Sequence, residues 1–107
     1  MEREVIQQVE REMNQRIDVI KQARNEVSRQ LKFSKELLVK YNIFEKIDYI
    51  GHFEKKTLDE NGLEKLKDKE SDNVKEYQSK IEEHDKEINI IEKGLSKLIN
   101  LPFLHAC

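Results

Sequence analysis

Three histidines and one cysteine are the residues of this chain best suited to hold a metal or attack a substrate. His105 and Cys107 lie two positions apart at the end of the sequence, and His52 stands far from both. A structural zinc site takes four ligands, so this set is too small and no metal is expected. Cys107 has no second cysteine for an internal disulfide; a terminal thiol could only link two chains under oxidation. The stretch from Thr57 to Asp68 partly follows a calcium-binding loop. With Thr57 as its first position, Asp59, Asn61 and Gly62 take the third, fifth and sixth. Such a loop opens on Asp, carries an apolar residue at the eighth position and closes on Glu. Here Thr57, Glu64 and Asp68 occupy those places, so a capped turn is the better reading.

Adjacent carboxylates occur at Glu82-Glu83 and Asp59-Glu60. Acid/base work needs a shaped, partly desolvated cleft that separates the two pKa values. These pairs sit in strongly charged helical sequence, which reads as a solvated face. No Gly-rich phosphate loop, GxSxG elbow or HExxH helix is present. The expectation is a protein that is not an enzyme, with no cofactor and no small-molecule substrate.

The elements that would position any site are helices. Charged residues form 39% of the 107 and hydrophobic ones 36%, with three Gly and one Pro. Much charge and few breakers suit long helices with a narrow apolar stripe. Residues 2–50 contain neither Gly nor Pro. Ile6, Val9, Met13, Ile17, Ile20, Val27, Leu31, Leu38 and Tyr41 recur there at helical steps, with Arg24 and Ser34 standing where the pattern wants apolar side chains. Gly51 and His52 then weaken helix propensity. Positions 57–62, Thr-Leu-Asp-Glu-Asn-Gly, carry turn chemistry and capping-box spacing at Thr57/Glu60 and Asn61/Glu64. A second helix start is available at Asn73/Glu76, which would leave residues 65–72 frayed or kinked.

The most regular pattern follows. Val74, Tyr77, Ile81, His84, Ile88, Ile91, Leu95 and Leu98 alternate steps of three and four, the seam that lets helices supercoil. His84 is the polar member, read as a packed histidine; the sharper reading is a register or pH-sensitive device. Pro102 disfavours helix at Leu101 and leaves a short apolar tail.

The predicted fold is all-α, one domain over 1–107. A long helix over about 2–50 and another over about 61–100 are joined by a turn region at 51–62 and pack as an antiparallel hairpin or coiled coil. The tail is 101–107. A bend near Gly51 would add a short middle helix and make a three-helix bundle.

Twenty Lys and Arg oppose 22 Asp and Glu, for a net charge of -2. This balance gives no electrostatic reason to bind nucleic acid or an anionic membrane. All five Arg lie in the first 29 residues, and residues 57–107 carry the acidic excess, so the halves are mildly complementary. The longest apolar run is Leu37-Leu38-Val39, against about 20 residues for a spanning helix and about 7–15 for a secretory signal. An intracellular, cytoplasmic protein is expected.

Partners are expected to be proteins, through self-association as a homodimer or through another chain's helices. Four of the seven aromatic residues, Tyr41, Phe44, Tyr49 and Phe53, fall within thirteen positions. With Phe103 and Leu104 of the tail they are the candidate partner-binding residues, since aromatic anchors dominate protein–protein hot spots. The leading function is a structural or adaptor coiled coil for assembly. The alternative is a small helical regulator or chaperone that holds a partner against the aromatic surface.

Overall fold

The computed structural model describes residues 1–49, 51–53, 56–58 and 60–101, with residues 51–53, 56–58 and 60 in backbone only. The chain is an all-α helical hairpin. Helix α1 runs Glu2–Lys46 and helix α2 Glu60–Ile99. Between them strand β1, Gly51–Phe53, pairs antiparallel with β2, Lys56–Leu58, with His52 opposite Thr57. A short ladder therefore stands where a middle helix was the alternative; Thr57, between two other β2 residues, does not begin a helix. Of the stretch weighed against a calcium loop, Thr57 and Leu58 lie in β2 and residues 60–68 in the first turns of α2, with residue 59 outside the described residues.

α1 stops four residues earlier than its breaker-free sequence suggested, for a reason seen in its backbone. Asp48 takes a left-handed φ of 51°. Its N–H donates to the Glu45 carbonyl at 3.2 Å, and the Tyr49 N–H reaches back to the Phe44 carbonyl at 2.9 Å. These two bonds make the Schellman closure, which satisfies the last carbonyls of a helix. The apolar contact that accompanies it is here aromatic: the Phe44 and Tyr49 rings lie 4.9 Å apart. The helix dipole is matched at both ends of α1, by Glu2 and Glu4 in the first turn and Lys46 in the last.

α2 begins at Glu60 and takes Gly62 into its first turn. It runs through residues 65–73 without interruption, so the second start at Asn73 is not used. Asn73 instead donates its side-chain amide to Glu70 at 3.4 Å. At the far end the Asn100 amide donates to the Ser96 carbonyl at 2.9 Å, next to the position where Pro102 forbids further helix.

On each helix one series of covered side chains follows a seven-residue repeat. On α1 they are Ile6, Glu10, Met13, Ile17, Ile20, Arg24, Val27, Leu31, Ser34, Leu38 and Tyr41, all buried or half-buried. On α2 they are Leu63, Lys67, Glu70, Val74, Tyr77, Ile81, His84, Ile88, Ile91, Leu95 and Leu98. Steps of four and three alternate along both series; Leu37 and Phe44 on α1, and Gly62, Leu66, Ser71, Asn73, Asp85, Glu87 and Gly94 on α2, are also half-buried beside them. Val9, expected in the stripe, is exposed, and Glu10 takes the covered place, because the alternation fixes the position before Met13 at residue 10.

The chain divides into two compact units, each containing a stretch of both helices. In the unit of residues 1–26 and 80–107, Ile17, Ile20 and Ile88 form the core, with Ile91 and Leu95 packed against it. Full burial of such a side chain contributes about 1.5–3 kcal/mol. The helices run antiparallel here, as the contacts of Met13 with Gly94 and of Arg24 with Asp85 require. In the unit of residues 27–79, Ser34, Tyr41 and Leu63 are buried, and Lys67 pairs with Glu45.

Candidate functional site

Three places hold chemistry or an uncovered apolar surface. The first is the polar rung of the seam in the unit containing both termini. Arg24 occupies a seam position on α1 and turns its guanidinium fork onto Asp85 of α2, with Nε to Oδ1 at 2.5 Å and Nη2 to Oδ2 at 3.3 Å. Two parallel bonds between planar groups fix orientation as well as charge. The hydrogen bond to Asp85, and then its negative charge, push the Arg24 pKa above its ordinary value. Arg16 makes a second, more exposed bridge to Glu87 at 3.0 Å. His84 is half-buried beside Asp85 in sequence. The other expected seam residues, Val74, Tyr77, Ile81, Ile91, Leu95 and Leu98, are half-buried, and Ile88 is buried. No buried side-chain nitrogen or oxygen among the described residues lacks a hydrogen-bond partner.

The second place is the aromatic region at the end of α1. Tyr41 is buried, Phe44 half-buried and Tyr49 exposed. The first belongs to the seam and the other two to the helix closure. The side chain of Phe53, and all of Phe103 and Leu104, lie outside the described residues, as do His105 and Cys107. Among the described residues no three of His, Cys, Asp and Glu gather in a metal-holding arrangement. No described helix is long and apolar enough to cross a membrane.

The third place was not singled out from the sequence. Val5, Val19, Phe33 and Ile47 are exposed and stand fourteen residues apart, at one position of the seven-residue repeat. Ile47 keeps the helical course, its N–H donating to the Ile43 carbonyl at 3.1 Å. Exposed Val9 and Ile43 occupy the positions on either side of this line. On α2 the large exposed hydrophobics among the described residues are Ile90 and Ile99. The outer apolar surface is thus concentrated on α1. The signal was present as a fourteen-residue period, hidden by Glu12, Glu26 and Lys40 at the intervening places. A further open groove of about 370 Å³ runs along α1 in the unit of residues 27–79, bordered by Ser28, Leu31, Lys32, Lys35, Glu36 and Val39. All six come from one helix, so this is a furrow between neighbouring side chains.

Compared with known protein families, with curated proteins and with solved structures, the chain matches none.

Proposed function

We propose that this protein is a non-enzymatic structural or adaptor module, a coiled-coil hairpin that joins protein chains. The observation that carries the reading is a set of exposed hydrophobics that recurs at one repeat position in and just after α1. The seam already occupies one face of each helix, yet Phe33 remains 63% exposed and stands at the repeat position that Val5, Val19 and Ile47, also exposed, hold in the sequence. Single exposed hydrophobics are ordinary; their recurrence at one position of a helical repeat is what partner helices cover. The polar rung Arg24–Asp85 supports the coiled-coil part, since polar seam residues specify register at a cost in stability.

The test is sedimentation of the pure chain over a range of concentrations, together with purification of the tagged chain from its native host. The expected result is a discrete oligomer or a stoichiometric partner, lost in Phe33→Asp while helicity is unchanged. A monomer that retains no partner at any concentration overturns the reading. A monomer whose bound partner is released by Tyr49→Ala but not by Phe33→Asp favours the alternative, a small chaperone or regulator working through its aromatic region. Tyr49, which keeps an exposed ring beside Phe44, is the feature that supports that second reading.

A further inference from the structure

We infer that the outer face of α1 within the unit of residues 27–79 receives an acidic amphipathic helix of a partner protein. The inference rests on the assembly reading and names the chemistry of the chain that is joined. The furrow described above is bordered by two rows at i, i+4 spacing, Ser28–Lys32–Glu36 and Leu31–Lys35–Val39. Such rows are the ridges of a helix surface, and a ridge of a second helix seats in the groove between them. The second row does not end with the furrow. Its next members, Ile43 and Ile47, are exposed like Val39, and the Ile47 N–H bond to the Ile43 carbonyl keeps both in helical course. Furrow and row lie within residues 28–47, inside one unit, and extend for about 30 Å at 1.5 Å per helical residue.

Charge decides the occupant. Residues 27–46 of α1 carry five basic side chains and two acidic ones. Arg29, Lys40 and Glu45 already interact within the chain. Lys32, Lys35 and Lys46 have no hydrogen-bond or ion-pair partner among the described residues, and the carboxylate set against them is Glu36. Lys32 and Lys35 stand on opposite ridges of the furrow, so a helix seated there meets a cation on each side. Its own flanks must then be acidic, and its ridge apolar to cover Val39, Ile43 and Ile47. A second copy of this chain fits poorly. Its α1 brings the same cationic excess. Its α2 offers Ile90 and Ile99 as exposed large hydrophobics among the described residues, and nine positions place these on opposite sides of a helix. An anionic lipid surface would meet the whole chain, whose net charge is -2, whereas a helix meets this face alone.

Three designed helical peptides of about 20 residues, enough to span the face, test the inference. Each carries leucine in one i, i+4 row, flanked by glutamate in the first, glutamine in the second and lysine in the third. Binding to the full chain is read by fluorescence anisotropy at low salt, with the helicity of every variant checked by circular dichroism. The glutamate peptide is expected to bind roughly tenfold more tightly than the glutamine one, and the lysine peptide most weakly. The double variant Lys32→Glu/Lys35→Glu is expected to reverse that order, and Glu36→Gln to tighten the glutamate peptide. Val39→Asp is expected to abolish binding of all three. Equal binding of the glutamate and lysine peptides, or a preference that survives the double charge reversal, overturns the inference. So does capture of the chain by phosphatidylserine vesicles without any peptide preference, which makes the face a lipid one. Self-association that Val39→Asp abolishes also overturns it, with a second copy as the occupant. A partner or oligomer that is lost in Phe33→Asp leaves the assembly reading standing after any of these failures.

Discussion

Asp48 ends α1 at a backbone angle that L residues adopt at a cost. Gly is the usual residue at this place in a Schellman closure, and Asp is tolerated because its short side chain can bond locally. Asp48→Gly is therefore expected to raise stability by about 1 kcal/mol, read as a shift in the denaturation midpoint, whereas Asp48→Val lowers it. The same position explains why the end of α1 was misread: no Gly or Pro marks it, and a left-handed Asp leaves no strong signal in sequence. Tyr41 and Phe44 also part company at this scale. Tyr41→Ala is expected to cost about 3–5 kcal/mol as a buried aromatic, and Phe44→Ala visibly less, since Phe44 is only half-buried. Arg24 provides the pH argument. A cation whose folded pKa is raised contributes stability fully below its ordinary value and loses it as pH rises through the raised one. For Arg24 that window is strongly alkaline, so the Arg24–Asp85 bridge is not lost through this group near neutral pH. Arg24→Lys is expected to lower the melting temperature, because lysine cannot reproduce the two-bond fork.

At the scale of the element, the two helices differ in how openly their sequences declare a repeat. The C-terminal half of α2 was legible because seven of its eight seam places are apolar. The first part of α2 was not, since Lys67 and Glu70 hold covered places and a hydrophobic period cannot register them. Ile88, buried in the core, tests the assignment. Ile88→Asp is expected to destabilise by about 3–5 kcal/mol, as an unpaired buried charge does, while Glu92→Asp on the exposed side costs little. Equal effects would disprove the seam. Gly94 tests how closely the helices approach. A methyl added there would stand 2.8 Å from Met13 Cε, the far end of a flexible side chain that can move away. Helix propensity favours Ala over Gly by about 1 kcal/mol, so Gly94→Ala is expected to be neutral or mildly stabilising. Gly94→Ile, which has no such escape, is expected to destabilise, and thermal melts of both variants check this.

For the whole molecule, composition and breaker placement were enough for the fold class. Long segments without Gly or Pro, carrying one apolar face each, can bury that face only against another helix. The connection was harder, because a three-residue ladder has too few residues to display a period. Helices of 45 and 40 residues in a chain of 107 are expected to give a far-UV spectrum dominated by helix. The outer line on α1 was hidden for a different reason: alternate charges break its period into single, unremarkable hydrophobics.

The polar bridges also set a clock. Glu45 and Lys67 are separated by 22 positions, Arg24 and Asp85 by 61, and Arg16 and Glu87 by 71. Closing the longest of these loops from an unfolded chain costs about 1 kcal/mol more than closing the shortest. Once the short loop is closed, each later contact forms from a neighbour already in place. The chain should therefore zip from its connection towards its termini and open in the reverse order. Glu45→Ala is expected to slow refolding, and Arg16→Ala to leave refolding unchanged while hastening unfolding. Stopped-flow measurement of both rates for the two variants would reveal the direction of travel.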